Sequence, residues 1–306
     1  MAYAIGNFIT QAKSWRWAFF IAGIPGFVLG VLIILTMMEP ERKKIPKENN
    51  QEMKVSEYNS LSFCSKVGRV AKPFCNPSLL FICFAGAVRN GAGYVWAYNT
   101  QPFFDQYYPE VNTGMWLSWI PLVSGSISVV LGGFIADRVV KKSGPVGRIW
   151  VIVVSLLLAS PFAALTLWLA PPWAFIMQIP TYIFGEMWVG VTLTVIVELV
   201  PSTIRTAAIA VYFFIISNIG GTMPLLVTPL ADLTNLKIAL LILYPGMYVT
   251  GALLYVTTLF VLKRDIDKAH NMDALTYSLL KDSEKSDGTS DVEDDTKKPS
   301  YGTVEN

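Results

Sequence analysis

The sequence predicts an all-α polytopic membrane protein of seven spans, and three observations carry that reading. Of its residues 53% are hydrophobic and only 15% charged, against roughly 25% charged in soluble domains. Residues 112–135 hold no formal charge, over a length sufficient to cross about 30 Å of hydrocarbon. That run then stops at Asp137, Arg138, Lys141 and Lys142, groups that belong in water or among lipid headgroups.

Taken in order, residues 1–12 form a weakly apolar piece too short to span alone. Lys13-Ser14-Trp15-Arg16-Trp17 then reads as an aromatic interfacial belt. A first full span is expected at about 15–38, with Pro25 inside it, which membrane helices tolerate. Residues 40–77 carry eight bases and read as a cytoplasmic loop, whose part from Phe63 to Phe74 suits an interfacial amphipathic helix. Further spans are expected at about 78–100, 112–135, 148–170, 173–199, 204–230 and 238–262. Residues 263–306 are rich in Asp, Ser, Lys, Glu and Thr and read as a disordered tail, because they offer too little apolar surface to offset the entropy of ordering.

Orientation follows from the bases. Loops 40–77 and 136–148, the 200–205 turn and the tail hold nearly all of them, whereas 101–111, 231–236 and the Ala170-Pro171-Pro172 turn hold none. The base-rich side, tail included, is thus the cytoplasmic one. The formal net charge of +2 implies no nucleic-acid partner, since the bases sit at the ends of apolar runs. Cys64, Cys75 and Cys83 show neither a disulfide framework nor metal-ligand spacing. The opening Met-Ala-Tyr-Ala-Ile-Gly has no basic region followed by a cleavage site, so no removable signal peptide is expected.

Seven spans with a cytoplasmic tail invite comparison with heptahelical receptors, and Asp137-Arg138 and Pro245-x-x-Tyr248 imitate receptor motifs. The geometry argues otherwise. The first cytoplasmic loop runs for dozens of residues, Pro245 falls in the outer half of its span, and the 101–111 loop before the third span has no cysteine to make the usual extracellular bridge.

The pattern Gly133-x-x-x-Asp137-Arg138-x-x-Lys141-Lys142 instead resembles the loop signature of the major facilitator superfamily of transporters, with Val140 in place of its second glycine. Glu198-Leu199-Val200-Pro201-Ser202-Thr203-Ile204-Arg205 resembles that family's Glu-x-x-Pro-x-x-x-Arg turn between helices ten and eleven. The resemblance covers roughly residues 1–265 and leans towards spinster-like members. It implies the C-terminal six-helix half of a twelve-helix carrier plus the preceding helix, with substrate bound near the midplane between halves. The domains are then 1–38 (remnant of helix five, and helix six), 39–77 (central loop), 78–262 (six-helix half) and 263–306 (tail). A start inside helix five is expected to reflect an incomplete chain, and a half-carrier acting as an assembly or regulatory partner is the alternative.

The resemblance also implies a cytoplasmic gate built from Gly133, Asp137, Arg138, Glu198 and Arg205. The same charges read otherwise as ordinary interfacial groups. Ser118, Pro121, Gly125, Ser128 and Gly132 recur at three- and four-residue steps, a bare stripe suited to close helix packing. Ser217, Asn218, Gly221 and Thr222 make a short polar facet on the sixth span.

For the transport site the sequence singles out Arg89 and Glu186, each at the middle of its span and therefore at the bilayer midplane. A charge there costs about 2.5–3.5 kcal/mol on insertion scales, so neither faces lipid. By the resemblance these spans are helices seven and ten, which line the central cavity. Asn90, Tyr94 and Tyr98 repeat every four residues beside Arg89, and Gln178 and Tyr182 do so above Glu186. The expectation is that Arg89 holds an anionic substrate group while Glu186 carries the coupling proton. The competing reading is a structural ion pair locking two helices. A lysolipid or another amphiphilic organic anion is the expected substrate class.

No enzyme constellation, cofactor or metal site is expected: the single histidine, His270, lies in the tail, and no Walker-type loop is present to bind ATP. A gradient must then supply the energy. Tyr277-Ser278-Leu279-Leu280 fits the Tyr-x-x-apolar signal read by clathrin adaptors. That partner suits an endosomal or lysosomal membrane, with the plasma membrane as the other expected location; such a short pattern also arises readily by chance.

Overall fold

The computed structural model describes residue 9 and residues 14–37, 76–200 and 204–287, with side chains through Asp267 other than that of Trp15. The expectations for residues 1–8, for the loop through residue 75, for Pro201–Thr203 and for the side chains of Tyr277–Leu280 fall outside that set. Among the described residues, seven helices are long and apolar enough to cross a membrane. The first span is α1 (Trp15–Thr36), and the second is α2 (Pro77–Tyr107). The third is built from the short α3 (Thr113–Leu117) and α4 (Ile120–Ser143). The fourth is α5 (Val146–Trp168) and the fifth is α6 (Trp173–Gly185) followed by α7 (Trp188–Leu199). The sixth runs through α8 (Arg205–Thr222), a 3-10 turn at Met223–Leu226 opened by Pro224, and α9 (Val227–Leu233). The last is α10 (Leu236–Asp287), whose candidate span ends at Asp267.

α2 is the spine of the bundle, packed against α10 on one side and α8 on another. Its entry is fixed twice. Asn76 caps the helix by accepting from Ser78 N at 3.0 Å, with Pro77 at the first helical position, where no donor is lost. The Asp265 carboxylate of α10 also accepts from Ser78 N at 3.3 Å and from Ser78 Oγ at 2.6 Å. An acid at a helix start is favoured by the unpaired N–H groups and the helix dipole there.

Small residues set how near the helices come. A Cβ on Gly220 of α8 would stand 3.1 Å from both Ala87 O and Gly91 N of α2, so these two backbones touch. Along α4 the buried positions are Ile120, Ser124, Ser128, Gly132 and Ala136, one every four residues. Ser128 and Gly132 of the expected stripe thus face the bundle. Ser128 Oγ donates to Ile183 O, and a Cβ on Gly132 would meet Met187 O at 2.8 Å. Gly125 has open space around it instead.

The first part of the tail departs from expectation, while residues 288–306 fall outside the described set. Residues 263–287 continue α10 as helix rather than starting a disordered segment. No Gly or Pro interrupts the sequence between Gly251 and Gly288. Asp265 and Ile266 are moreover buried, at 6% and 3% exposure, so local composition is overridden where the chain docks on the bundle.

Candidate functional site

The fifth span is broken at mid-depth. Glu186 N still donates to Tyr182 O at 3.0 Å, but Val189 N turns to Glu186 O at 3.5 Å. Gly185 O, which a continuous helix would pair with that N–H, is thereby released. Arg89 of α2 takes it: Nε and Nη2 donate to Gly185 O at 3.1 and 2.6 Å. Nη2 also donates to Glu186 Oε1 at 2.7 Å. Local sequence explains the fit, since a Cβ on Gly185 would lie 2.8 Å from the Tyr248 hydroxyl, and Gly251 keeps α10 close to the Arg89 backbone.

The guanidinium is 1% exposed, and two rings complete its surroundings. Tyr248 lies 4.7 Å and Trp188 5.2 Å from Cζ, both within cation–π range. Behind them Tyr248 meets Tyr244, which stacks on Trp96 at 5.0 Å. Glu186 differs from its partner in keeping 29% of its side chain exposed. One member of the pair is sealed in the bundle and the other opens onto its surface.

The remaining expected site residues divide. Tyr182 lies one turn above Glu186, half-buried. Gln178, a turn further, is fully buried, and neither its amide nitrogen nor its oxygen has a hydrogen-bond partner; Trp96 Nε1 and Trp188 Nε1 are orphaned in the same way. Asn90 turns away from Arg89 and donates to Ile216 O of α8 at 3.1 Å. Tyr94 and Tyr98 lie with ring centroids 6.2 Å apart, Tyr98 being 67% exposed. Sequence reasoning missed Trp188, Tyr244 and Tyr248. Trp188 stands two residues after Glu186, and the Tyr244, Tyr248, Tyr255 spacing on α10 marks one helical face.

At the base-rich end, Glu198 of α7 pairs with Arg148 of α5, a partner the sequence reading did not name. Arg205 Nε donates to Val197 O at 3.1 Å, across the turn from Glu198. Asp137 is exposed, and Arg138, also exposed, lies with Cζ 4.1 Å from the centre of the Phe134 ring. A Cβ on Gly133 would meet nothing within 4 Å. The expected gate residues therefore fall into a Glu198–Arg205 side, joined by Arg148, and an open Asp137–Arg138 side. Among the described residues no group of three His, Cys, Asp or Glu side chains is placed to hold a metal ion.

Seven apolar spans, with a cation buried in the packed bundle, define an integral, multi-pass, all-α membrane protein. The chain belongs to the Major Facilitator Superfamily, whose family model matches residues 1–224. Two solved structures of a bacterial homolog to the human lysosomal transporter Spinster resemble it. The inward-facing, unoccupied form is 18% identical, covering 86% of this chain and 65% of that one, with a TM-score of 0.55. The inward-facing, occupied form is also 18% identical, covering 85% and 62%, at a TM-score of 0.48. This chain spans less than two thirds of the length of either. The likeness is one of fold.

Proposed function

We propose that the chain forms the C-terminal half, with the preceding helix, of a secondary transporter that moves a small amphiphilic or anionic organic solute, a lysolipid among the candidates, in exchange or symport with protons. The observation that carries this reading is the asymmetry of the Arg89–Glu186 pair. Arg89 is held by a backbone carbonyl and two rings besides its acid, whereas Glu186 has an open side. A substrate carboxylate or phosphate arriving beside Arg89 competes with Glu186 for one cation, and the displaced carboxylate is free to exchange a proton with the cavity. Binding of one cargo thereby alters binding of the other, as coupling requires. Tyr182, with Tyr94 and Tyr98, offers aromatic surface to an amphiphile, while Gln178 brings unpaired hydrogen-bonding atoms. The Glu198–Arg148 contact, with Arg205 beside it, is the corresponding candidate for a base-side gate.

An assembly role for a half-carrier has one observation in its favour: the apolar stretch of α1 is 0% buried, surface on which helices outside this chain could pack. Co-expression with the N-terminal half of a carrier, followed by reconstitution in proteoliposomes with an imposed pH gradient, separates the readings. Proton-driven uptake of a lysolipid or organic anion is expected, and Glu186→Gln is expected to abolish its dependence on the gradient. If Glu186→Gln keeps gradient-driven uptake and only lowers protein yield, the pair is scaffolding.

A further inference from the structure

Beside the break lies a groove of about 280 Å³, between Ile135 and Val139 of α4 and Val154 and Leu158 of α5, with Phe184 and Met187 lining it from the fifth span. Its exposed lining is entirely apolar; the one hydroxyl there, Ser155, donates to Ile152 O. Val154 and Leu158 are 51% and 45% exposed, so the groove opens outward from the bundle into the surrounding hydrocarbon. An acyl chain is the natural occupant of such a surface.

The groove also has a polar end. Ile135, Val139 and Lys142 follow one another at four and three residues along α4, which stacks them on one helix face. Lys142 thus stands a turn beyond the groove, with Lys141 beside it, both exposed. Arg148, the nearest base on α5, is occupied by Glu198, whereas neither lysine has an ion pair among the described residues. Trp150, 49% exposed, lines the same end and suits the headgroup depth, where indoles concentrate.

We propose that this groove binds one chain of an anionic phospholipid from the base-rich leaflet, with its headgroup on Lys141 and Lys142. The site is independent of the transport reading. Phe184 and Met187 flank Gly185 and Glu186 in sequence, so a lipid chain seated there packs on the broken helix next to the segment that holds Arg89. Each lysine near an anionic headgroup contributes about five-fold in affinity.

The test uses the purified full chain, stripped of lipid in detergent and exchanged into an equimolar mixture of phosphatidylglycerol and phosphatidylcholine, with retained lipid counted by native mass spectrometry. One phosphatidylglycerol per chain is expected to stay. A Lys141→Ala, Lys142→Ala double variant should weaken its retention by roughly twenty-five-fold. Leu158→Trp and, separately, Val154→Trp fill the groove from its lipid-facing side and should displace the same lipid. Equal retention of both lipids by the unaltered chain overturns the proposal, as does retention that survives both groove-filling variants, because the lipid is then held by surface charge alone.

Discussion

Arg89 should prove far more costly to remove than Glu186, although the two form a single ion pair. The guanidinium directs two donors at Gly185 O, at 3.1 and 2.6 Å, and one at Glu186, at 2.7 Å, between the rings of Tyr248 and Trp188. Arg89→Met keeps much of the aliphatic volume but strips Gly185 O of both donors and leaves the carboxylate without its counter-charge. Breaking a buried pair from one side costs about 3–5 kcal/mol. Glu186→Gln leaves the bonds to Gly185 untouched and still offers Nη2 an acceptor oxygen. With that side chain 29% exposed, water screens the lost charge and the cost falls to about 1 kcal/mol. A gap of at least about 2 kcal/mol follows. At roughly 2–4 °C per kcal/mol for a domain of this size, the thermal midpoints should differ by about 4–8 °C. The measurement is a fluorescence-detected thermal shift of the two purified variants at one scan rate, which matters because such unfolding is generally irreversible. The double variant should lose little more than Arg89→Met alone, since the two sites share one contact. Equal midpoints for the single variants would show that the ion pair does all the holding and refute the role given to the Gly185 carbonyl.

Two further outcomes follow from packing and polar satisfaction. Gly220→Ala forces a methyl against the backbone of α2 at 3.1 Å and should cost about 1–3 kcal/mol by overpacking; Gly221→Ala, with nothing within 4 Å, should be near neutral, and the pair of thermal midpoints checks both. Gln178→Leu removes two buried, unpartnered polar atoms whose desolvation costs about 1–3 kcal/mol each, so its midpoint should stay level or rise; a clear fall would mean that the amide is satisfied within the protein.

Much of the fold was legible because a bilayer imposes length and polarity on every span. The expected span at 173–199 coincides with Trp173–Leu199, and that at 112–135 overlaps Thr113–Ser143 from its first residue and stops short of its end. The expected 78–100 span was too short at its far end, since α2 runs through Pro102 to Tyr107. Phe103 and Phe104 are fully buried there, against Trp96 and Phe175, a tertiary demand that no local pattern announces. Depth counting alone brought Arg89 and Glu186 to one level, and they meet. It could not show that the helix breaks between Gly185 and Trp188, because no proline marks the place; what stabilises the break is a guanidinium almost a hundred residues away in the chain. Arg148 was missed for a related reason: bases near span ends are the rule in membrane proteins, and only three-dimensional pairing distinguishes one from another.

The interruption of the fifth span also has an electrical consequence. α6 ends at Gly185 with its backbone dipoles aligned, which places about half a negative elementary charge at its final carbonyls. Arg89 therefore faces two sources of negative potential, one the Glu186 carboxylate and the other a helix end that carries no side chain of its own. The field of α6 does not depend on the Glu186 side chain. The same field remains in Glu186→Gln, where the helix end is the charge left facing the buried guanidinium.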